Sequence, residues 1–216
     1  MTVEARVEAK ICGLSTPETL DAAVQAGARW VGFVTFPKSP RHIGSLDLLT
    51  ALGARVPASV GRVGLFVDPD DALIDERLAT GAIDMLQLHG SETPERVAAL
   101  KARTGKQVMK AIKVARPEDV EQGIAAYADI ADRLMFDTAD GTLPGGNATS
   151  FDWTILTGRK VPLPWMLAGG LTADNVAEAV RVTGAPAVDV SSGVEASRGV
   201  KSIELIRAFL DRVKAL

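Results

Sequence analysis

Short apolar runs rich in Val, Ile, Leu and Phe alternate along the whole chain with longer amphipathic stretches, and this alternation organises everything else. The runs mark eight candidate strands at 6–13, 30–35, 62–67, 85–89, 107–114, 133–138, 165–168 and 187–191. A helical stretch follows each, over roughly 17–26, 46–54, 70–79, 94–103, 117–126, 152–157, 174–182 and 202–213. Leu20, Ala23 and Val24, and again Val97 and Leu100, recur at helical spacing and predict one buried stripe per helix. Thr16-Pro17, Thr93-Pro94 and Thr172-Ala173 offer hydroxyl N-caps, twice with Pro at the first helical position. Gly27, Gly105 and Gly184 stand where helices close in the left-handed conformation.

Strand–helix alternation with no hairpin signal implies a parallel sheet. Eight units of about 27 residues predict an α/β fold, a (βα)8 TIM barrel in a single domain over 1–216. A doubly wound open sheet is the rival architecture. No Pro/Ser-rich linker or charge run divides the chain.

Barrel strands are covered on both faces, so a polar residue on one needs an explanation. If apolar residues face the helices, alternation points Glu8, Lys10 and Cys12 into the barrel, with Gln87, His89, Lys110, Asp137, Asp189 and Ser191. Cys12, His89, Asp137 and Ser191 fall at C-terminal strand ends, the rim where barrel active sites form. Taken singly, Cys12 reads as a small buried hydrophobe, Asp137 as a loop cap, and Lys10 with Glu8 as an inner ion pair. Their convergence on one mouth favours chemistry.

Two loops suit an anion. Ala168-Gly169-Gly170-Leu171 runs into a helix start, and Ser191-Ser192-Gly193 follows the eighth strand. Such glycines let backbone N–H groups approach closely, and in barrels these two loops often form a phosphate site, so Gly169, Gly170, Ser191, Ser192 and Gly193 are the phosphate candidates. Arg41, in a loop stiffened by Pro37 and Pro40, offers a bidentate fork to a carboxylate or a second phosphate, or is a solvated surface Arg. The Gly/Thr/Asn-rich stretch from Ala139 to Asp152 is long for such a loop and reads as a lid over Asp137.

Composition narrows the chemistry. The 216 residues are 47% hydrophobic and 24% charged with a net charge of −3, which fits a globular protein without a basic face for nucleic acid or anionic lipid. One cysteine and two histidines exclude a disulfide and a zinc-type cluster, so no metal and no cofactor are expected. No apolar run is long enough to span a bilayer, and the first residues lack a signal-peptide core, which points to the cytoplasm with no membrane partner. GxGxxG is absent, and Gly141 to Gly146 is followed by Asn147-Ala148 where a phosphate loop needs Lys-Ser/Thr.

The ordered set Lys10-Ile11-Cys12-Gly13-Leu14, Gly32-Phe33-Val34, Ser39-Pro40-Arg41, Val63 to Val67, Gln87-Leu88-His89-Gly90, Phe136-Asp137-Thr138, Phe151-Asp152-Trp153, Ala168-Gly169-Gly170-Leu171 and Val188 to Glu195 resembles the phosphoribosylanthranilate isomerases of tryptophan biosynthesis. The resemblance runs end to end and departs at two loops. Gly145-Gly146-Asn147-Ala148 replaces the usual Gly-Gly-Thr/Ser-Gly, and Ser197-Arg198-Gly199-Val200-Lys201-Ser202 stands where Pro-Gly-x-Lys-Asp is usual.

The resemblance implies an Amadori rearrangement of N-(5-phosphoribosyl)anthranilate to 1-(o-carboxyphenylamino)-1-deoxyribulose 5-phosphate. It makes Asp137 the general acid and Cys12 the general base. Arg41 would pair with the anthranilate carboxylate, Gly170, Ser192 and Gly193 would hold the phosphate, and His89 and Asp189 would line the pocket. Asp137 must then carry a proton for part of the cycle. Cys12 must work as a thiolate, so a cation should lower its pKa from about 8.5, Lys10 and Lys110 being candidates by parity. The expected partner is this small-molecule phosphosugar-anthranilate substrate alone, with the chain a monomer or homodimer. Rival readings are a related aminoaldose isomerase of histidine biosynthesis, disfavoured because Cys12 and Lys113-Val114 stand where such barrels use aspartates, and a non-catalytic barrel that binds a phosphate ligand.

Overall fold

The computed structural model describes residues 6–138 and 152–216. In chain order the main elements are β1 (Glu8–Cys12), α1 (Pro17–Gln25), β2 (Trp30–Val34), α2 (Leu46–Arg55), β3 (Gly61–Phe66), α3 (Asp71–Leu78), β4 (Met85–Leu88), α4 (Pro94–Thr104), β5 (Gln107–Val114) and α5 (Pro117–Tyr127). They continue with β6 (Arg133–Thr138), β7 (Trp165–Ala168), α6 (Val176–Thr183), β8 (Ala187–Val190), β9 (Glu195–Ser197), β10 (Val200–Lys201) and α7 (Ile203–Lys214). Strands β1 to β8 pair in order, all parallel, and β8 returns to β1 with Glu8 opposite Ala187 and Lys10 opposite Asp189. The barrel is closed, so the open-sheet rival is excluded.

Local chemistry sets the helix starts. Thr16 and Thr93 accept hydrogen bonds from the N–H groups of Thr19 and Arg96, with Pro17 and Pro94 opening the first turns. The expected cap at Thr172 is corrected. The helix begins later, with Asn175 in the cap position and its Oδ1 accepting from Thr172 N–H.

The sixth helix is also corrected. Residues 152–157 hold only a 3-10 turn, Trp153–Leu156, so seven α-helices surround eight strands among the described residues. Four residues are too few to nucleate an α-helix, and Gly158 with Pro162 and Pro164 stops its extension. The absence of hairpins is overturned as well, because β9 and β10 form a short antiparallel pair outside the barrel. The expected lid from Ala139, with Gly145 to Ala148 and Phe151, lies outside the described residues.

Two apolar layers result. Ile11, Phe33, Leu86, Val108, Leu134 and Val190 face the helices, while Trp30, Val63, Met85, Met109, Met135 and Met166 fill the barrel. Met109 and Ala111 belong to the inner layer, which reverses the expected facing of β5. Lys110 therefore points towards the helices. Its Nζ donates to Glu92 Oε2 and Gly90 O, both at 2.8 Å, and lies 5.6 Å from the centre of the Tyr127 ring. The alternation rule failed there because the inner wall is as apolar as the outer one. No described helix is long and apolar enough to cross a membrane.

Candidate active site

One cavity of about 900 Å³ opens at the C-terminal ends of the strands. All ten candidate residues line it: Cys12, Arg41, His89, Asp137 and Asp189 with the glycine and serine loops of Gly169, Gly170, Ser191, Ser192 and Gly193.

Cys12 ends β1 and is 3% exposed. Two residues earlier on the same face, Lys10 is fully buried, its Nζ 2.9 Å from Asp189 Oδ1, and its charge acts on the Cys12 thiol. The neighbouring strand places Gly32 opposite Cys12, where a methyl group would come within 2.9 Å of Lys10 Nζ and 3.0 Å of Cys12 Sγ. The absent side chain is the space the pair occupies.

Burial works against the charge of Lys10, but Asp189 and Cys12 outweigh it and hold the ammonium above its ordinary pKa. For Cys12 the balance goes the other way. Burial pushes the thiol up, Lys10 offsets only part of that, and the Asp189 carboxylate adds to the rise. The net shift of Cys12 is therefore upward, opposite to the expected lowering. Lys110, on the far side of the sheet, is not its cation.

Across the mouth, Asp137 lies near the end of β6 and its Oδ2 is 2.8 Å from His89 Nε2. His89 Nδ1 is in turn 3.1 Å from the side-chain nitrogen of Gln87, the preceding inward residue of its strand. Lys113 pairs in register with Asp137 and reaches the same cavity. Its inward direction follows from the corrected facing of β5.

Arg41 does form a fork, and in this structure the fork holds a protein carboxylate. Nε and Nη2 donate to the two oxygens of Glu195 at 2.5 and 2.8 Å. Glu195 also accepts from Lys201 Nζ at 2.8 Å and from Gly199 N–H at 3.0 Å. Burial raises its pKa, yet these donors, led by Arg41 and Lys201, bring it down to about 2. Lys201 Nζ donates further to Ser191 O at 2.7 Å, while burial pushes its own pKa below the usual lysine range. Glu195 and Lys201 thus tie the β9–β10 hairpin to the Arg41 loop. Both stood inside segments matched or contrasted with the isomerases, but only the fold brings them to Arg41.

The phosphate candidates form one corner. Gly169 and Gly170 both have positive φ, 97° and 63°, which L side chains rarely adopt. A Cβ on Gly193 would lie 1.8 Å from Leu171 O, so the two loops touch backbone to backbone. A 3-10 turn, Ser192–Val194, begins there.

The family model of N-(5'-phosphoribosyl)anthranilate isomerase matches residues 9–212. The isomerase of Paracoccus denitrificans is 54% identical over 212 residues, covering 97% of this chain and 98% of that protein. That of Parvibaculum lavamentivorans is 54% identical over 213 residues, covering 96% and 98%. Among solved structures, the phosphoribosyl anthranilate isomerase of Thermotoga maritima is 34% identical with a TM-score of 0.85, covering 97% of this chain and all of that one. Another isomerase structure, 33% identical with a TM-score of 0.81 and 97% coverage of this chain against 100% of its own, holds reduced 1-(o-carboxyphenylamino)-1-deoxyribulose 5-phosphate.

Proposed function

The chain belongs to the N-(5'-phosphoribosyl)anthranilate isomerase family, and from that premise we propose that Asp137 and Cys12 are the acid and base of its reaction. It is an isomerase of tryptophan biosynthesis. One observation carries the assignment of residues. A cysteine backed by a fixed ammonium and an aspartate backed by an imidazole line one cavity together with a glycine corner.

The reaction divides between the two sides. Asp137 delivers a proton to the ribose ring oxygen, the C1–O bond breaks, and the amine nitrogen's lone pair forms the C1–N double bond. Cys12 Sγ then removes the proton from C2, and the electron pair moves to give the enolamine, which tautomerises to the C2 ketone. Lys10, fixed by Asp189, is the positive charge that supports the thiolate. Gly169, Gly170, Ser191, Ser192 and Gly193 hold the phosphate, whose binding energy positions the sugar. Arg41 presents its guanidinium to the anthranilate carboxylate, a group of the same kind as the Glu195 carboxylate it holds here.

Rescue of a tryptophan auxotroph lacking this isomerase tests the activity in cells. The wild-type gene restores growth, and Cys12→Ala does not. Equal rescue by both removes Cys12 from the mechanism. With purified protein, Arg41→Ala raises KM with a smaller change in kcat, and an unchanged KM sinks the carboxylate assignment. The histidine-pathway reading is less favoured because Lys113, not a carboxylate, reaches the cavity from β5.

A further inference from the structure

Gln87 is fully buried, yet its carbonyl oxygen Oε1 has no hydrogen-bond partner among the described residues. Its amide nitrogen is used twice, 3.1 Å from His89 Nδ1 and 3.3 Å from Met135 Sδ. An amide NH2 carries two donors and no acceptor, so in this arrangement it donates to both. Turning the amide over would give His89 a carbonyl to donate to, but it would strand two N–H donors instead of one oxygen and leave the Met135 sulfur unbonded. The recorded orientation satisfies more groups.

That orientation decides the state of His89. A nitrogen that accepts from Gln87 bears no proton, so the neutral ring carries its proton on Nε2 and donates it to Asp137 Oδ2. We propose that Gln87 is a positioning residue that locks His89 as the Nε2–H tautomer, so that the transferable proton of Asp137 sits on Oδ1. The inference rests on the reading of Asp137 as the acid. In the opposite tautomer, a bare Nε2 would draw the Asp137 proton into an O–H···N bond with the imidazole. The acid would then be aimed at its own support rather than at the substrate. No proton leaves the ring in this account. His89 stays neutral, and its N–H stabilises the carboxylate left after Asp137 has given its proton away.

Nitrogen-15 NMR of the imidazoles tests this without catalysis, because the shifts separate protonated from bare ring nitrogens and the chain has only two histidines. At mildly alkaline pH the wild-type His89 shows a bare Nδ1 and a protonated Nε2. Gln87→Met, close in shape and without the donor, loses that fixed pattern, and kcat falls by about tenfold or more with little change in KM, the mark of a misplaced imidazole proton. Gln87→Glu offers only acceptors, and moves the proton to Nδ1. A protonated Nδ1 in the wild type overturns the proposal, as does full turnover in a variant whose tautomer has changed. An Asp137→Asn enzyme with wild-type kcat would instead overturn the acid assignment, whatever the spectrum shows.

Discussion

At the scale of the residue, the site works by setting charge against burial, and the outcome differs for neighbours only a few ångströms apart. Lys10 keeps its ammonium because Asp189 sits 2.9 Å away, while Cys12, buried beside the same cation, is held up as a thiol. A base must be deprotonated to act, so kcat/KM for the free enzyme rises as pH climbs through the elevated Cys12 pKa and falls below it. Lys10→Met removes the one strong opposing influence and moves that rising limb to still higher pH. A limb that stays in place, measured across alkaline buffers at constant ionic strength, rules Lys10 out as the supporting cation. The inward direction of Lys10 and Cys12 was legible because Ala9 and Ile11 fill only the helix side of β1. The direction of the Cys12 shift was not, since it depends on how completely the folded mouth excludes water.

Elements bring these residues together, and the facing of their strands is unevenly legible in the sequence. Alternation was informative on β1, β4, β6 and β8, where inward polar residues alternate with an apolar outer face, as Val188 and Val190 frame Asp189. It failed on β5 because methionines from several strands make the inner wall apolar too. The buried partner that holds Lys110 outward, Glu92, comes from the loop after β4 and leaves no local signal. That pair ties the middle of β5 to the ends of β3 and β4, for Glu92 also accepts from the N–H groups of Asp68 and Gly90. Lys110→Met leaves the Glu92 charge buried without its cation and costs about 3–5 kcal/mol of stability. A urea midpoint shift at constant slope measures it. A loss below about 1 kcal/mol would show that the pair adds little beyond apolar packing. The phosphate corner makes a separate prediction. Gly193→Ala drives a methyl into Leu171 O, so KM rises by roughly tenfold and inhibition by inorganic phosphate weakens in parallel. Unchanged phosphate inhibition removes Gly193 from that site.

Across the whole molecule, closure of the sheet through β1 and β8 is what turns scattered polar residues into a site. Lys10 and Asp189 are 179 positions apart in the chain, and only that closing seam makes them partners. The opposite end of the barrel is filled differently, with the Arg133 guanidinium stacked 4.7 Å from the Trp30 ring. The number and order of the barrel strands, and the inward direction of Cys12, His89, Asp137 and Asp189, were legible from periodicity. The β9–β10 hairpin was not, although it carries Glu195 and Lys201 to Arg41, because two strands of three and two residues leave too short a pattern to read.

The central claim is that Cys12 and Asp137 divide one proton-transfer reaction between them across this mouth. Steady-state isomerisation of N-(5-phosphoribosyl)anthranilate by purified wild type, Cys12→Ala and Asp137→Asn tests it most directly. Each variant should lose roughly a hundredfold or more in kcat while KM changes modestly. Wild-type turnover by either one would contradict the account.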